Sequence, residues 1–145
     1  MQPVRIYEIP SCRMVASGVG MFGDGTLERF DDWFSSLPVG IFPRDFLIWA
    51  ETGFRWLYLP DPGIEVPEEF EIIDFPGGLY AVATDVDQQT DKAALDREVV
   101  QFIAEHGFEA DPSRPEMGTI ITPPSARAVM GFDQMDYWMP IRTRG

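Results

Sequence analysis

Apolar and polar positions alternate from Val4 to Ile9, with Val4 and Ile6 on one side and Arg5 and Tyr7 on the other. That period predicts a half-buried strand. Pro10-Ser11 punctuates it, and Arg13 to Ser17 resumes as a second strand. The spacing then becomes helical: Leu27, Phe30, Phe34 and Leu37 recur on one face with Trp33 beside them. Thr26 is the expected N-cap, Pro38 the stop, and Gly40 opens a loop containing Pro43. Phe46 to Glu51 and Phe54 to Leu59 read as strands around Thr52-Gly53, and Pro60-Asp61-Pro62-Gly63 closes the first half as a turn.

The second half repeats this order. Phe70 to Thr84 reads as strand, turn and strand, followed by a polar loop from Asp85 to Thr90. A helix from about Asp91 to His106 carries Leu95, Val99, Phe102 and Ile103 on one face, with Gly107 as its C′ residue. Asp111 to Pro115 is loop. Met117 to Thr122 and Gln134 to Ile141 are the last two strands, separated by Pro123-Pro124-Ser125 and a glycine-containing connection.

An offset of 66 positions lays Val4 to Gly18 on Phe70 to Thr84 without a gap. Ile6 matches Ile72 and Pro10 matches Pro76, while Glu8/Asp74, Ile9/Phe75, Met14/Tyr80 and Ala16/Val82 keep their character. One unit used twice is the expectation. The closing segments match as well: Trp56 to Pro60 resembles Asp136 to Pro140, setting Tyr58 against Trp138 and Pro60 against Pro140. The expected fold class is α+β: two tandem β-α-β-β units, residues about 3–64 and 69–145 of a single domain 1–145. They should form a curved antiparallel sheet, with two helices on one side and a ligand groove at the pseudo-twofold.

Composition narrows the function. A net charge of −13, with Lys92 as the sole lysine, repels phosphate backbones, so no direct nucleic-acid partner is expected. The longest apolar run, Phe46 to Ala50, is too short to span a bilayer, so no membrane partner is expected. The amino terminus lacks a basic segment followed by an apolar stretch, so a cytoplasmic location is the default expectation. Cys12 and His106, single of their kinds, cannot complete a structural zinc site; no metal and no cofactor are expected. His106, in the last turn of its helix, reads as a helix-end residue.

Gly18-Val19-Gly20-Met21-Phe22-Gly23 has the spacing of a dinucleotide fingerprint. Asp24-Gly25 follows before the helix starts, and Asp24 would set a negative charge beside the phosphates, so a flexible strand exit is the better reading. No catalytic constellation emerges: Cys12 sits in a tight turn with no histidine near in sequence, and Glu51, Glu116 and Asp136 would act as acid or base only if desolvated. The ligand-binding candidates are Trp49, Trp56, Tyr58, Met117, Asp136 and Trp138, with Met14 a wall candidate better placed in the core. Aromatic rings and methionine with one or two carboxylates suit a flat, apolar molecule, neutral or cationic, since ring faces attract cations.

Phe75-Pro76-Gly77-Gly78-Leu79-Tyr80-Ala81-Val82, Arg114-Pro115-Glu116-Met117-Gly118 and the closing Asp136-Tyr137-Trp138-Met139-Pro140-Ile141, with the order of elements, resemble the gyrase-inhibitor-like small-molecule-binding domain. That domain is also the effector-binding module of AraC- and MerR-type bacterial regulators. The resemblance covers essentially the whole chain and implies two fused β-α-β-β units with a ligand groove, in which Trp138 is a groove residue. The pocket glutamate of many members falls on Gly118, which puts cation sensing and carboxylate-dependent hydrolysis in doubt unless Glu51, Glu116 or Asp136 substitutes. No stretch before Val4 or after Arg144 is long enough for a helix-turn-helix, so a stand-alone binding module for a bulky aromatic effector or drug-like molecule is expected. A partner regulator protein or a homodimer would supply any regulatory output. The alternatives are a hydrolase of reactive small molecules such as cyclopropanoids, and an acidic protein inhibitor of DNA gyrase.

Overall fold

The computed structural model describes residues 3–38 and 44–145. Gly40 and Pro43, expected in the loop after the first helix, lie outside the described residues. In chain order the elements are β1 (Arg5–Ile9), β2 (Cys12–Ala16), α1 (Thr26–Ser35), β3 (Asp45–Ala50), β4 (Gly53–Tyr58), β5 (Glu71–Phe75), β6 (Gly78–Val86), α2 (Lys92–Glu105), β7 (Phe108–Ala110), β8 (Met117–Ile120), α3 (Pro124–Met130) and β9 (Gln134–Thr143). The class is α+β, with antiparallel pairing in every ladder described below. The chain forms two compact units, one holding residues up to Pro10 with Gly77–Gly145, the other Ser11–Pro76.

In the first unit, β6 pairs with β1 on one side and β9 on the other, and β9 then pairs with β8 and β7. Helix α2 starts at Asp91, whose carboxylate accepts from the Ala93 and Ala94 amides, an N-cap that satisfies two otherwise orphaned donors. Its Leu95, Val99 and Ile103 pack on Ala81 and Ala83 of β6 and Met139 and Ile141 of β9. Each such large side chain contributes about 1.5–3 kcal/mol on burial, so a charge at fully buried Val99 would break this layer. Gly107 ends the helix at a φ of 85°, the left-handed conformation that a C′ residue needs. Pro140 falls inside β9 rather than at its end, between the residues that face β8 and those that face β7. Its carbonyl accepts from Asp111, so its missing N–H faces the gap between those two strands.

In the second unit, β4 pairs with β3 and β2, and β2 with β5. Helix α1 begins at Thr26 with Gly25 as its N-cap, one residue earlier than expected, because Glu28 reaches back to the Gly25 amide at 2.9 Å and takes over the capping.

The strand–turn–strand segments are not hairpins. β1 pairs with β6, and β2 with β5. Pro10 and Pro76, each followed by a small residue, mark points where the chain passes from one unit to the other. The offset of 66 carries one ladder onto the other: Ile9↔Gly78 becomes Phe75↔Cys12, and Arg5↔Val82 becomes Glu71↔Ala16. Burial follows the same offset, with Met14 and Tyr80 fully buried, and Ile6 and Ile72 both exposed.

Three helices and nine strands stand among the described residues, where two helices and eight strands were expected. Helix α3 lies in the stretch read as a connection. Pro124 at its first turn suits a helix start, but none of its residues is buried, so it lacks the apolar stripe that reveals a helix in sequence. β7 has only three residues.

Candidate functional site

Antiparallel partners share a face, and alternate residues along a strand change face. In the first unit α2 covers the face of Ala81, Ala83, Met139 and Ile141. The opposite face carries a row of Arg5, Val82, Trp138 and Met117, and beside it a row of Thr84, Asp136 and Thr119. Tyr7 and Tyr80 pair directly in the next row. Three of the six sequence-predicted site residues, Met117, Asp136 and Trp138, therefore come together on this face.

Arg5 is joined to Asp136 twice: Nη2 donates to Oδ1 at 2.7 Å and Nη1 to Oδ2 at 3.3 Å. Thr84 Oγ1 donates to Asp136 Oδ1 at 3.2 Å and accepts from Arg5 Nη2 at the same distance. The Asp136 side chain keeps only 9% of its exposure and that of Arg5 33%. The hydrogen bond to Asp136 raises the Arg5 pKa above its ordinary value, against an opposing effect of burial, so the guanidinium stays charged. Aromatic rings border the pair. Tyr7 and Tyr80 lie 5.5 and 5.7 Å from Trp138, and Arg5 sits 5.5 Å from the Tyr7 ring centre while donating to its hydroxyl at 3.1 Å. Tyr7 is 41% exposed, whereas Tyr80 and Met117 are closed off. Thr119 Oγ1 is buried with no hydrogen-bond partner among the described residues.

Arg114 supports this face from one edge. Its Nη2 donates to the carbonyls of Leu79 and Ile141, its Nε pairs with Asp111 at 3.2 Å, and its guanidinium lies 4.7 Å from the Tyr80 ring centre. A side chain at Gly78 would meet that guanidinium at 2.6 Å, and Gly78 has a φ of 131°. Glycine at 78 and arginine at 114 thus depend on each other, which joins two of the stretches that carry the family resemblance.

In the second unit Trp49, Trp56 and Tyr58 share the face that α1 covers. Phe34 stacks on Tyr58 at 5.4 Å and meets Trp56 edge-on at 5.2 Å, while Trp33 meets Tyr58 at 5.7 Å. Trp56 Nε1 donates to Asp45 Oδ2 at 3.0 Å; burial pushes the Asp45 carboxyl up while this bond pulls it down. Burial likewise raises the Tyr58 hydroxyl. Trp49 is 56% exposed, with Phe54 at 6.1 Å. The expected equivalence of Tyr58 with Trp138 is off by one. Val15 pairs with Tyr58 and its offset partner Ala81 pairs with Met139; Leu57, paired with Ala16, is the counterpart of Trp138. A slip of one residue changes the face, so Tyr58 lies under its helix while Trp138 lies on the side away from α2.

The other sequence candidates have structural roles. Asp24 accepts from the Met21 and Thr26 amides, and Glu28 from those of Gly23 and Gly25. These are donors that a phosphate in the glycine-rich loop would need. Gly118 pairs with Tyr137 and so faces α2, where an added side chain would meet Met135; Met117 and Thr119, paired with Trp138 and Asp136, lie on the opposite face. Burial first, then Glu116 and Asp96, raises the pKa of Tyr137. Burial raises the Cys12 thiol. His106 stacks on Phe102 at 4.2 Å and shares a hydrogen bond with its carbonyl. Glu51 is exposed in the β3–β4 turn.

Sequence reasoning missed Arg5, Tyr7, Thr84 and Thr119. The alternation of β1 sets Arg5 and Tyr7 together on one side of the strand but gives that side no function.

No protein-family model matches the chain, and no curated protein matches it either. Solved structures do. The EcmrR C-terminal domain aligns over 97% of this chain and 98% of its own, with a TM-score of 0.62 at 8% identity. The fold is that of the EcmrR C-terminal domain. The resemblance to the gyrase-inhibitor-like domain thus holds at the level of the fold. EcmrR in complex with DNA aligns over 97% of this chain with a TM-score of 0.64 at 9% identity, and this chain spans 57% of that one. A hydrolase from Listeria innocua (TM-score 0.59, 13% identity, 96% of this chain and 91% of that one) has the fold as well. So does SAV2435 bound to tetraphenylphosphonium (TM-score 0.51, 12% identity, 97% and 94%). Among the described residues, no helix is long and apolar enough to cross a membrane.

Proposed function

We propose that this chain is a small-molecule-binding module for a bulky, mainly apolar aromatic ligand, and that the ligand docks on the Tyr7–Trp138 aromatic surface. The observation that carries this reading is the ring pair itself: two aromatics 5.5 Å apart, one of them 41% exposed, beside a half-buried ion pair and Met117. A flat ligand laid against such rings gains both area burial and ring–ring attraction, about 0.5–1.5 kcal/mol for each ring pair beyond the area. The fold likeness to the EcmrR C-terminal domain and to SAV2435, which binds tetraphenylphosphonium, supports the class of function. In this reading Trp56 and Tyr58 hold α1 in place, and Trp49, 56% exposed, is an aromatic surface of the second unit. The module works in the cytoplasm, in company with a partner regulator chain or a second copy of itself. Titration with the uncharged aromatic probe N-phenyl-1-naphthylamine tests this. Saturable binding is expected, weakened about tenfold, roughly 1.4 kcal/mol, by Trp138→Ala. Trp49→Ala should leave the affinity unchanged; loss in Trp49→Ala alone would move the ligand to the other surface.

A second reading, hydrolysis of a reactive small molecule, draws on the Listeria innocua hydrolase of the same fold. Turnover of a strained-ring compound that disappears in Asp136→Asn would support it, and an intact compound after long incubation would remove it.

A further inference from the structure

The binding reading leaves the charge of the ligand open, and the chemistry around Asp136 bears on it. A buried carboxylate among aromatic rings would ordinarily be a receptor for an organic cation. Here that position is already taken. Both Asp136 oxygens accept from Arg5, and the same guanidinium lies beside the Tyr7 ring and donates to its hydroxyl. The cation comes from β1, an edge strand, and keeps a third of its exposure, so it stands where a ligand on the Tyr7–Trp138 surface would meet it.

We propose that Arg5 is the residue that sets the charge specificity of this site: its guanidinium serves as the site's own cation, so the site takes uncharged aromatic molecules and rejects lipophilic cations. This rests on the aromatic surface being the ligand site. A second cation placed there would find no free carboxylate and would face the positive charge of Arg5 at short range. Removing the guanidinium reverses the preference. Among the described residues, Asp136, its side chain 9% exposed, would keep Thr84 as its one side-chain hydrogen-bond donor, and a buried carboxylate without its cation gains strongly from any cation that reaches it. Its demand for a counter-ion would then favour a ligand carrying positive charge on aromatic groups.

The experiment compares two probes on the full chain, N-phenyl-1-naphthylamine and tetraphenylphosphonium. Wild type should bind the uncharged probe at least tenfold tighter than the cation. Arg5→Gln should tighten tetraphenylphosphonium binding at least tenfold, and adding Asp136→Asn to that variant should abolish the gain. Equal wild-type affinity for the two probes, or tighter binding of the cation, overturns the inference and leaves the binding reading standing. Binding of neither probe removes both. The wild-type comparison decides the matter even if Arg5→Gln fails to fold, and a folded Arg5→Gln without gain in cation affinity also overturns the proposal.

Discussion

Arg5 Nη2 lies 2.7 Å from Asp136 Oδ1, although 131 positions separate the two residues in sequence. The pair spans β1 and β9 across β6 and ties the two outer strands of that ladder to one ion pair. The two partners are unequally buried, and their loss should be unequal too. Arg5→Ala leaves a buried carboxylate without a cation, whereas Asp136→Asn leaves a guanidinium that water can reach. We expect Arg5→Ala to cost roughly 2 kcal/mol and Asp136→Asn about 1 kcal/mol. Urea unfolding midpoints of the two variants check the order; an equal or reversed loss would mean the pair is a surface contact.

Asp111 gives a pH dependence. Hydrogen bonds from the Ser113 hydroxyl and amide, with help from Arg114, hold its carboxyl down at about 2, below the ordinary value of about 3.9. A depressed carboxylate stabilises the fold fully above its unfolded value and loses that contribution as pH falls through the folded one. Wild-type stability should therefore decline between about pH 4 and pH 2 partly through this group. The pH profile of the urea midpoint for Asp111→Asn should be flatter in that window than for wild type.

Gly78→Ala should destabilise the first unit by about 2–4 kcal/mol, through its positive φ and the 2.6 Å approach to Arg114. Thermal unfolding of Gly78→Ala, Arg114→Ala and the double variant separates the two causes. If the steric conflict dominates, the double variant will be less destabilised than the sum of the singles.

Much of this was legible in the chain. The periodicities located α1, α2 and most of the strands, and the offset that pairs Ile9 with Phe75 also maps the β1–β6 ladder onto the β2–β5 ladder. Pairing was not legible. Pro10-Ser11 looks like any tight turn, and nothing local says that the strands on either side of it pair with β6 and β5 rather than with each other. Helix α3 was invisible because Val129, 88% exposed, and its neighbours bury no face. The site was half legible for a sharper reason. Matching Tyr58 to Trp138 by their flanking prolines is out by one residue, and in a strand one residue decides between the face under the helix and the face away from it. Arg5 and Tyr7 were hidden because the alternation that defines β1 is the same for a solvent face and for a ligand face.

The most direct test of the account is where an aromatic probe lands. The chain has four tryptophans, so the indole N–H region of a two-dimensional nitrogen–proton spectrum should hold four signals, assignable by Trp→Phe variants. On titration with N-phenyl-1-naphthylamine, the Trp138 signal should shift most and saturate with the same affinity as the fluorescence of the probe. A saturating shift centred on Trp33, Trp49 or Trp56, with Trp138 unmoved, would contradict the account.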